Sequence, residues 1–181
     1  MTQHSDSDEP LDFKLFMETF GGIFENSPWV AERAWALLSG TASNDLTAVH
    51  KAMVEAVRSA SSDEQLMLLC AHPDLAGKEA QEGKMTEDSV AEQASAGLDS
   101  LSKDESLRLS ELNAAYRCKH GFPFIIAVRN YTKAQIFEAF EHRLNSASEV
   151  ERRECLEQIF TITSLRINAL NKRHLPPAIT N

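Results

Sequence analysis

"SKDESLRLSELNAAYRCKHGFPFIIAV", residues 102–128, is the stretch on which the fold turns. Ser102 stands three residues ahead of Glu105, the spacing at which a hydroxyl and a carboxylate satisfy each other's free backbone amides at a helix start. Gly121 and Pro123 close the pattern, the first able to take a left-handed conformation and the second unable to continue a helix. A helix over 103–120 follows. Beyond it, "FPFIIAV" at 122–128 reads as extended, and a single extended run cannot make a sheet.

Outward from this stretch the chain reads as helix after helix. The capping spacing recurs at Ser62/Gln65, Thr132/Gln135 and Ser148/Glu151. Thr86, followed by Glu87 and Asp88, opens another helix whose positive end favours the acids. Ser27-Pro28 starts a helix over 28–38 with Gly40 beyond its end, and Asn44 or Asp45 opens one that runs to about Ser59. "FKLFMETFGGIF" is a short apolar segment broken at Gly21-Gly22, and Pro176-Pro177 limits the last helix. The expectation is an all-α, single-domain helical bundle with one short extended segment near 122–128. Residues 1–10 and 173–181 are expected as tails around a domain at 11–172.

Bulk properties narrow the function. A chain of 181 residues can bury a sizeable core. Its net charge of −9, without any Lys/Arg run, speaks against nucleic-acid binding. No window approaches the roughly 18 apolar residues of a membrane span. Cys70, Cys118 and Cys155 are odd in number and far apart, which suits reduced thiols. The polar, acidic N-terminus is no signal peptide, and "LPPAITN" carries no peroxisomal tripeptide, so the expected location is the cytoplasm. Phosphate-loop, dinucleotide, zinc-protease and serine-hydrolase motifs are all absent. Cys70-x-His72 has no second pair of ligands at a useful spacing, so no metal is expected.

Four places carry candidate chemistry. His72 precedes Pro73 at the end of an apolar run. It either caps the carbonyls of the preceding helix or is held by Pro73 at the lip of a pocket. On a helix over 88–97, Ser89, Glu92, Gln93 and Ala96 share one face, and Val90, Ala94, Gly97, Leu98 and Leu101 another. The plain reading is a solvated polar face behind an apolar one. The other is a set of donors and acceptors for a heterocycle or urea group. The 122–128 run is either a buried linker or a backbone whose amides meet an amide-rich ligand. Arg166, within the apolar arc of the last helix, either snorkels or faces a carboxylate.

"SPWVAERAW" (27–35), "HPDLAGK" (72–78), "SVAEQASAGLDSLS" (89–102), "LNAAYRCKHGFPFIIAVR" (112–129) and "LRI" (165–167) together resemble the decarboxylases of 2-oxo-4-hydroxy-4-carboxy-5-ureidoimidazoline, OHCU. The resemblance covers about residues 11 to 170. It implies an all-helical, cofactor-free enzyme that forms (S)-allantoin at the end of urate breakdown, after urate oxidase and hydroxyisourate hydrolase. It implies that His72 is catalytic with Glu92. Pro73, Ser89, Val90, Ala91, Gln93, the backbone of Phe124, Ile125, Ile126, Ala127 and Val128, and Arg166 would contact substrate. It departs from the family pattern at His120, where an aromatic is expected, and at Ala127, where Cys is common. The resemblance and the wide apolar circumference of the last helix both point to a homodimer. A decarboxylase of a related ureido or hydantoin-like acid, or a helical binding module without activity, are the alternatives.

Overall fold

Ser102 and Glu105 close the capping box their spacing predicts: the Glu105 amide donates to the Ser102 hydroxyl at 3.2 Å and the Ser102 amide to the Glu105 carboxylate at 2.8 Å. The helix they start runs Lys103–His120 and stops at Gly121, whose φ of 80° is the left-handed conformation a glycine takes freely. The computed structural model describes residues 13–38 and 45–174, apart from the side chains of Gln81 and 171–174. Over these residues the helices are α1 Phe13–Phe20, α2 Trp29–Leu37, α3 Leu46–Arg58, α4 Ser62–Cys70, α5 Lys78–Gln81, α6 Glu87–Ser95, α7 Lys103–His120, α8 Lys133–Leu144 and α9 Ser148–His174, with a 3-10 turn at Val128–Asn130. The described residues contain no strand, and the all-α expectation holds.

Most predicted starts are where the sequence puts them. Asp45 caps α3 through the Thr47 amide, Thr86 caps α6 through the Ser89 amide, and Thr132 with Gln135 completes a second capping box. Two predicted boxes do not form. Ser62 is the first residue of α4, and Gln65 instead accepts from Arg152. Ser148 turns its hydroxyl to His120, while Glu151 is drawn inward to Tyr116 and Arg143. In both cases a tertiary partner outcompetes a local one. At α2, Pro28 occupies the cap position, so the helix begins one residue later than predicted. α9 reaches His174, two residues into the expected tail; Gly40, the 1–10 tail and Pro176-Pro177 lie outside the described residues.

The chain divides into two units, one of residues 1–61 and 164–181, the other of 62–163. In the first, α2 packs on α1 and on α3 around Phe16, Phe20, Val30, Ala34, Val49 and Met53. Its α1 ends at Gly21, where a side chain would collide with the Met17 carbonyl. The buried guanidinium of Arg166 pairs with Glu25 at 3.0 Å and donates to the Ile23 carbonyl at 3.2 Å. Of the two readings of Arg166, the carboxylate is therefore the one realised, and it belongs to the chain itself. In the second unit, α7 packs on α8, and α6 packs on the 3-10 turn. Tyr116 lies at its centre with Phe122, Phe124 and Phe140, the last two stacked at 3.9 Å.

Candidate active site

α6 is inside out relative to an ordinary surface helix. Its polar face of Ser89, Glu92 and Gln93 is buried, whereas Val90 is 48% exposed and Ala91 is exposed too. The solvated polar face of the plain reading is thus overturned. Burying a hydroxyl, a carboxylate and a carboxamide side by side is costly unless each is engaged, so an all-polar inward face is a feature that packing alone does not favour.

The 72–77 loop meets this face. His72 is buried, and its Nδ1 lies 2.9 Å from the Leu68 carbonyl, one turn back in α4. A carbonyl only accepts, so Nδ1 carries a proton and donates it to Leu68. The capping role expected of His72 is thus realised through Nδ1. Pro73 follows, half-buried. The next three residues are each tied by a different side chain. Arg117 donates to both oxygens of Asp74 at 2.8 and 3.0 Å; Asn113 donates to the Leu75 carbonyl at 3.0 Å; Gln93 accepts from the Ala76 amide at 2.8 Å. Ala76 sits at φ 46°, a left-handed conformation that costs a side-chain-bearing residue energy and needs such restraint. At Gly77 a Cβ would meet that of Asp74 at 2.7 Å, so the turn admits no side chain there. Burial pushes the Asp74 carboxyl above its usual range, against the pull of Arg117.

The third element is the stretch from Phe122 to Val128, every residue of which is buried. It runs without helical structure to Ala127, and Val128 opens the 3-10 turn that α6 packs against. Arg143 donates to the Ile125 carbonyl and Gln158 accepts from the Ala127 amide, each at 2.9 Å. The chain itself therefore satisfies these two backbone groups, for which the sequence reading looked to a ligand. Arg143 also pairs with Glu151 at 2.9 Å and lies over the Phe124 ring, and Tyr116 donates to the same carboxylate at 2.5 Å. Burial works against the Arg143 cation, yet Cys155, Glu151 and Tyr116 hold its pKa up. Burial raises the Tyr116 hydroxyl and the Cys155 thiol, keeping both protonated.

His72, the 89–93 face and the 124–128 backbone thus belong to one unit, joined by the Gln93–Ala76 hydrogen bond and the packing of α6 on the 3-10 turn. Arg166 belongs to the other unit. Val90 and Gln93 also line a cavity of about 400 Å³ with Ala76, Met85, Leu98 and Leu101; His72 and Glu92 do not line it. Sequence reasoning missed Asn113, Arg117, Arg143 and Gln158. Asn113 and Arg117 left a signal, since polar residues four apart share a helix face. Arg143 and Gln158 left none, because nothing local marks a partner in another element.

An all-helical unit that turns hydroxyl, carboxylate and carboxamide inward, and ties that face to a loop bearing a buried imidazole, has the makings of a small-molecule site. The chain belongs to the OHCU decarboxylase family, whose model matches residues 9–168. It is 42% identical over 157 residues to the 2-oxo-4-hydroxy-4-carboxy-5-ureidoimidazoline decarboxylase of Haloferax volcanii, covering 87% of this chain and 89% of that one. The mouse decarboxylase of the same name is 37% identical over 164 residues, 91% of this chain and 90% of that one. A crystal structure of (S)-allantoin synthase superposes with a TM-score of 0.67 at 34% identity, over 86% of this chain and 50% of that chain.

Proposed function

We propose that this protein is a carboxy-lyase that converts OHCU to (S)-allantoin in urate degradation. The observation that carries the reading is the buried polar face of α6, tied through Gln93 to the loop that bears His72, within a chain that matches the decarboxylase family almost end to end.

The chemistry needs little beyond such a site. OHCU bears its carboxylate on a carbon next to a ring C=N. When CO2 leaves, the electron pair of the broken C–C bond forms a C=C bond to the imine carbon, and the imine pair passes to the nitrogen, which takes up a proton. The 4-hydroxyl then loses its proton as it becomes a carbonyl, and a proton is delivered to one face of the former imine carbon. The substrate is its own electron sink, so we propose that the enzyme uses no cofactor and no metal. The protein has to orient the scissile bond, stabilise developing charge and direct the proton. His72 with Glu92 handles these proton transfers. Ser89, the 124–128 backbone and the amide nitrogen of Gln93 hold ring and ureido groups; the Gln93 oxygen is already committed to Ala76, and its nitrogen also donates to the Met85 sulfur at 3.3 Å. Pro73, Val90 and Ala91 shape the approach. We further propose a cytoplasmic homodimer of one domain over residues 11–172. No helix among the described residues is long and apolar enough to cross a membrane.

The deciding experiment supplies freshly generated OHCU and follows optical activity. Uncatalysed decay gives racemic allantoin, so the expected result is rapid formation of the S enantiomer, undiminished after dialysis against a strong chelator. Racemic product at the buffer rate would sink the reading. A single-chain mass by light scattering at micromolar concentration would refute the dimer.

A further inference from the structure

We propose that Gln158 is a positioning residue for substrate binding, setting the placement of the 124–128 backbone; this rests on the decarboxylase reading above. Gln158 Oε1 accepts from the Ala127 amide at 2.9 Å, and its Nε2 donates to Glu154 Oε1 at 2.8 Å, one turn back on α9. A carboxylate accepts only, so Glu154 fixes which end of the carboxamide is the donor and leaves the oxygen facing Ala127. The carboxamide is thereby locked in one of its two flips.

The geometry around Ala127 shows why such a lock matters. Its backbone, at φ −73° and ψ 76°, is where the extended run bends into the 3-10 turn that α6 packs against. Two residues earlier, Arg143 holds the Ile125 carbonyl. These two anchors come from α8 and α9 and pin the segment at both ends of Ile126. A shift at Ala127 moves the backbone groups between the anchors relative to the Ser89–Gln93 face. Arg143 is unsuited to a test, since its loss leaves Glu151 buried without its cation. Gln158 is half-buried and stands outside that ion pair.

The test compares wild type, Gln158→Leu, and the double swap Glu154→Gln with Gln158→Glu, which exchanges the carboxylate and the carboxamide and so preserves an acceptor at Ala127. Two readouts are taken: amide hydrogen exchange of peptides spanning 122–130 without substrate, and steady-state kinetics with OHCU. Gln158→Leu is expected to speed exchange in that region. It should raise KM by roughly 5- to 100-fold, the range for a buried amide left unpaired, with kcat within about threefold of wild type. The swap should recover most of both. Unchanged exchange overturns the proposal, as does faster exchange with unmoved KM, or a parallel fall of kcat and kcat/KM that tracks lost folded protein. A wild type that leaves OHCU to decay as in buffer sinks the decarboxylase reading and this inference with it; an active wild type with an indifferent Gln158→Leu sinks this inference alone.

Discussion

The loop at 72–77 and the segment at 123–127 both leave helical structure within the same unit, and they are held by opposite means. The loop is partly open to solvent. Its anchors are an Arg117–Asp74 ion pair, two neutral hydrogen bonds to its backbone and a left-handed Ala76. The segment is buried throughout, and its main anchor is a guanidinium whose charge is matched out of reach of water by Glu151 and supported by Tyr116. A loop of the first kind can yield at one tie and keep the rest. A buried charge network fails as a whole, because removing one member leaves another uncompensated. The comparison assigns adjustable chemistry to the loop and fixed scaffolding to the segment.

The largest effect should come from the loop and leave the fold intact. His72→Ala is expected to lower kcat by about 10²–10⁴-fold, the range of general acid–base catalysis, with an unfolding midpoint close to wild type. Glu92→Gln should approach it, since charge is lost and shape kept. A His72→Ala protein with near-normal kcat would break the division of labour at its root. The next effect falls on stability. Glu151→Ala, which strands Arg143, should cost about 3–5 kcal/mol in denaturant titration; a cost below about 1 kcal/mol would mean that the network is not the scaffold it resembles.

Acid titration sharpens the contrast, because the two regions carry opposite signs. Burial lowers the pKa of His120, whose ring packs tilted against Tyr116 and Phe122, below its ordinary 6.5, with Glu151 raising it and Lys119 and Arg143 lowering it further. Below pH 6.5 the unfolded chain takes up this proton first, so stability falls with pH until the folded imidazole titrates as well. Asp74 is raised above 3.8, so its contribution runs the other way, falling as pH rises through that window. His120→Phe should therefore flatten the fall in midpoint between roughly pH 7 and pH 5 without removing acid unfolding driven by carboxylates such as Glu105, whose pKa is lowered by Lys133 and Ser102. An unchanged slope would show that His120 titrates alike in both states. The smallest effect belongs to Arg117→Gln. Its ion pair is partly solvated, and about 0.2–1 kcal/mol of stability is expected to go.

The same contrast explains what could be read in advance. Helix starts at Asp45, Thr86, Ser102 and Thr132 were legible because a cap is a contact within three residues. Ser148 and Glu151 carried the same signature and failed, since Arg143 and Tyr116 offer the carboxylate a better-paid engagement than a backbone amide does. The loop, the α6 face and the 122–128 run were visible as motifs. That α6 would turn its polar face inward was not, because periodicity gives the faces of a helix and leaves open which one looks at the core. Arg143 and Gln158 were invisible for the related reason that their partners are fixed only by tertiary packing.

The buried pair of Arg166 and Glu25 joins residues 141 apart in sequence. A ribosome adding about 5–20 residues each second needs roughly 7–28 s between them. Residue 163, which completes the unit 62–163, is added only three residues before Arg166 (166 − 163), so neither unit has all its residues until the last part of synthesis. Glu25 must stay hydrated until Arg166 emerges, so a nascent chain stopped short of residue 166 would display α1 and its neighbours as a surface for chaperones.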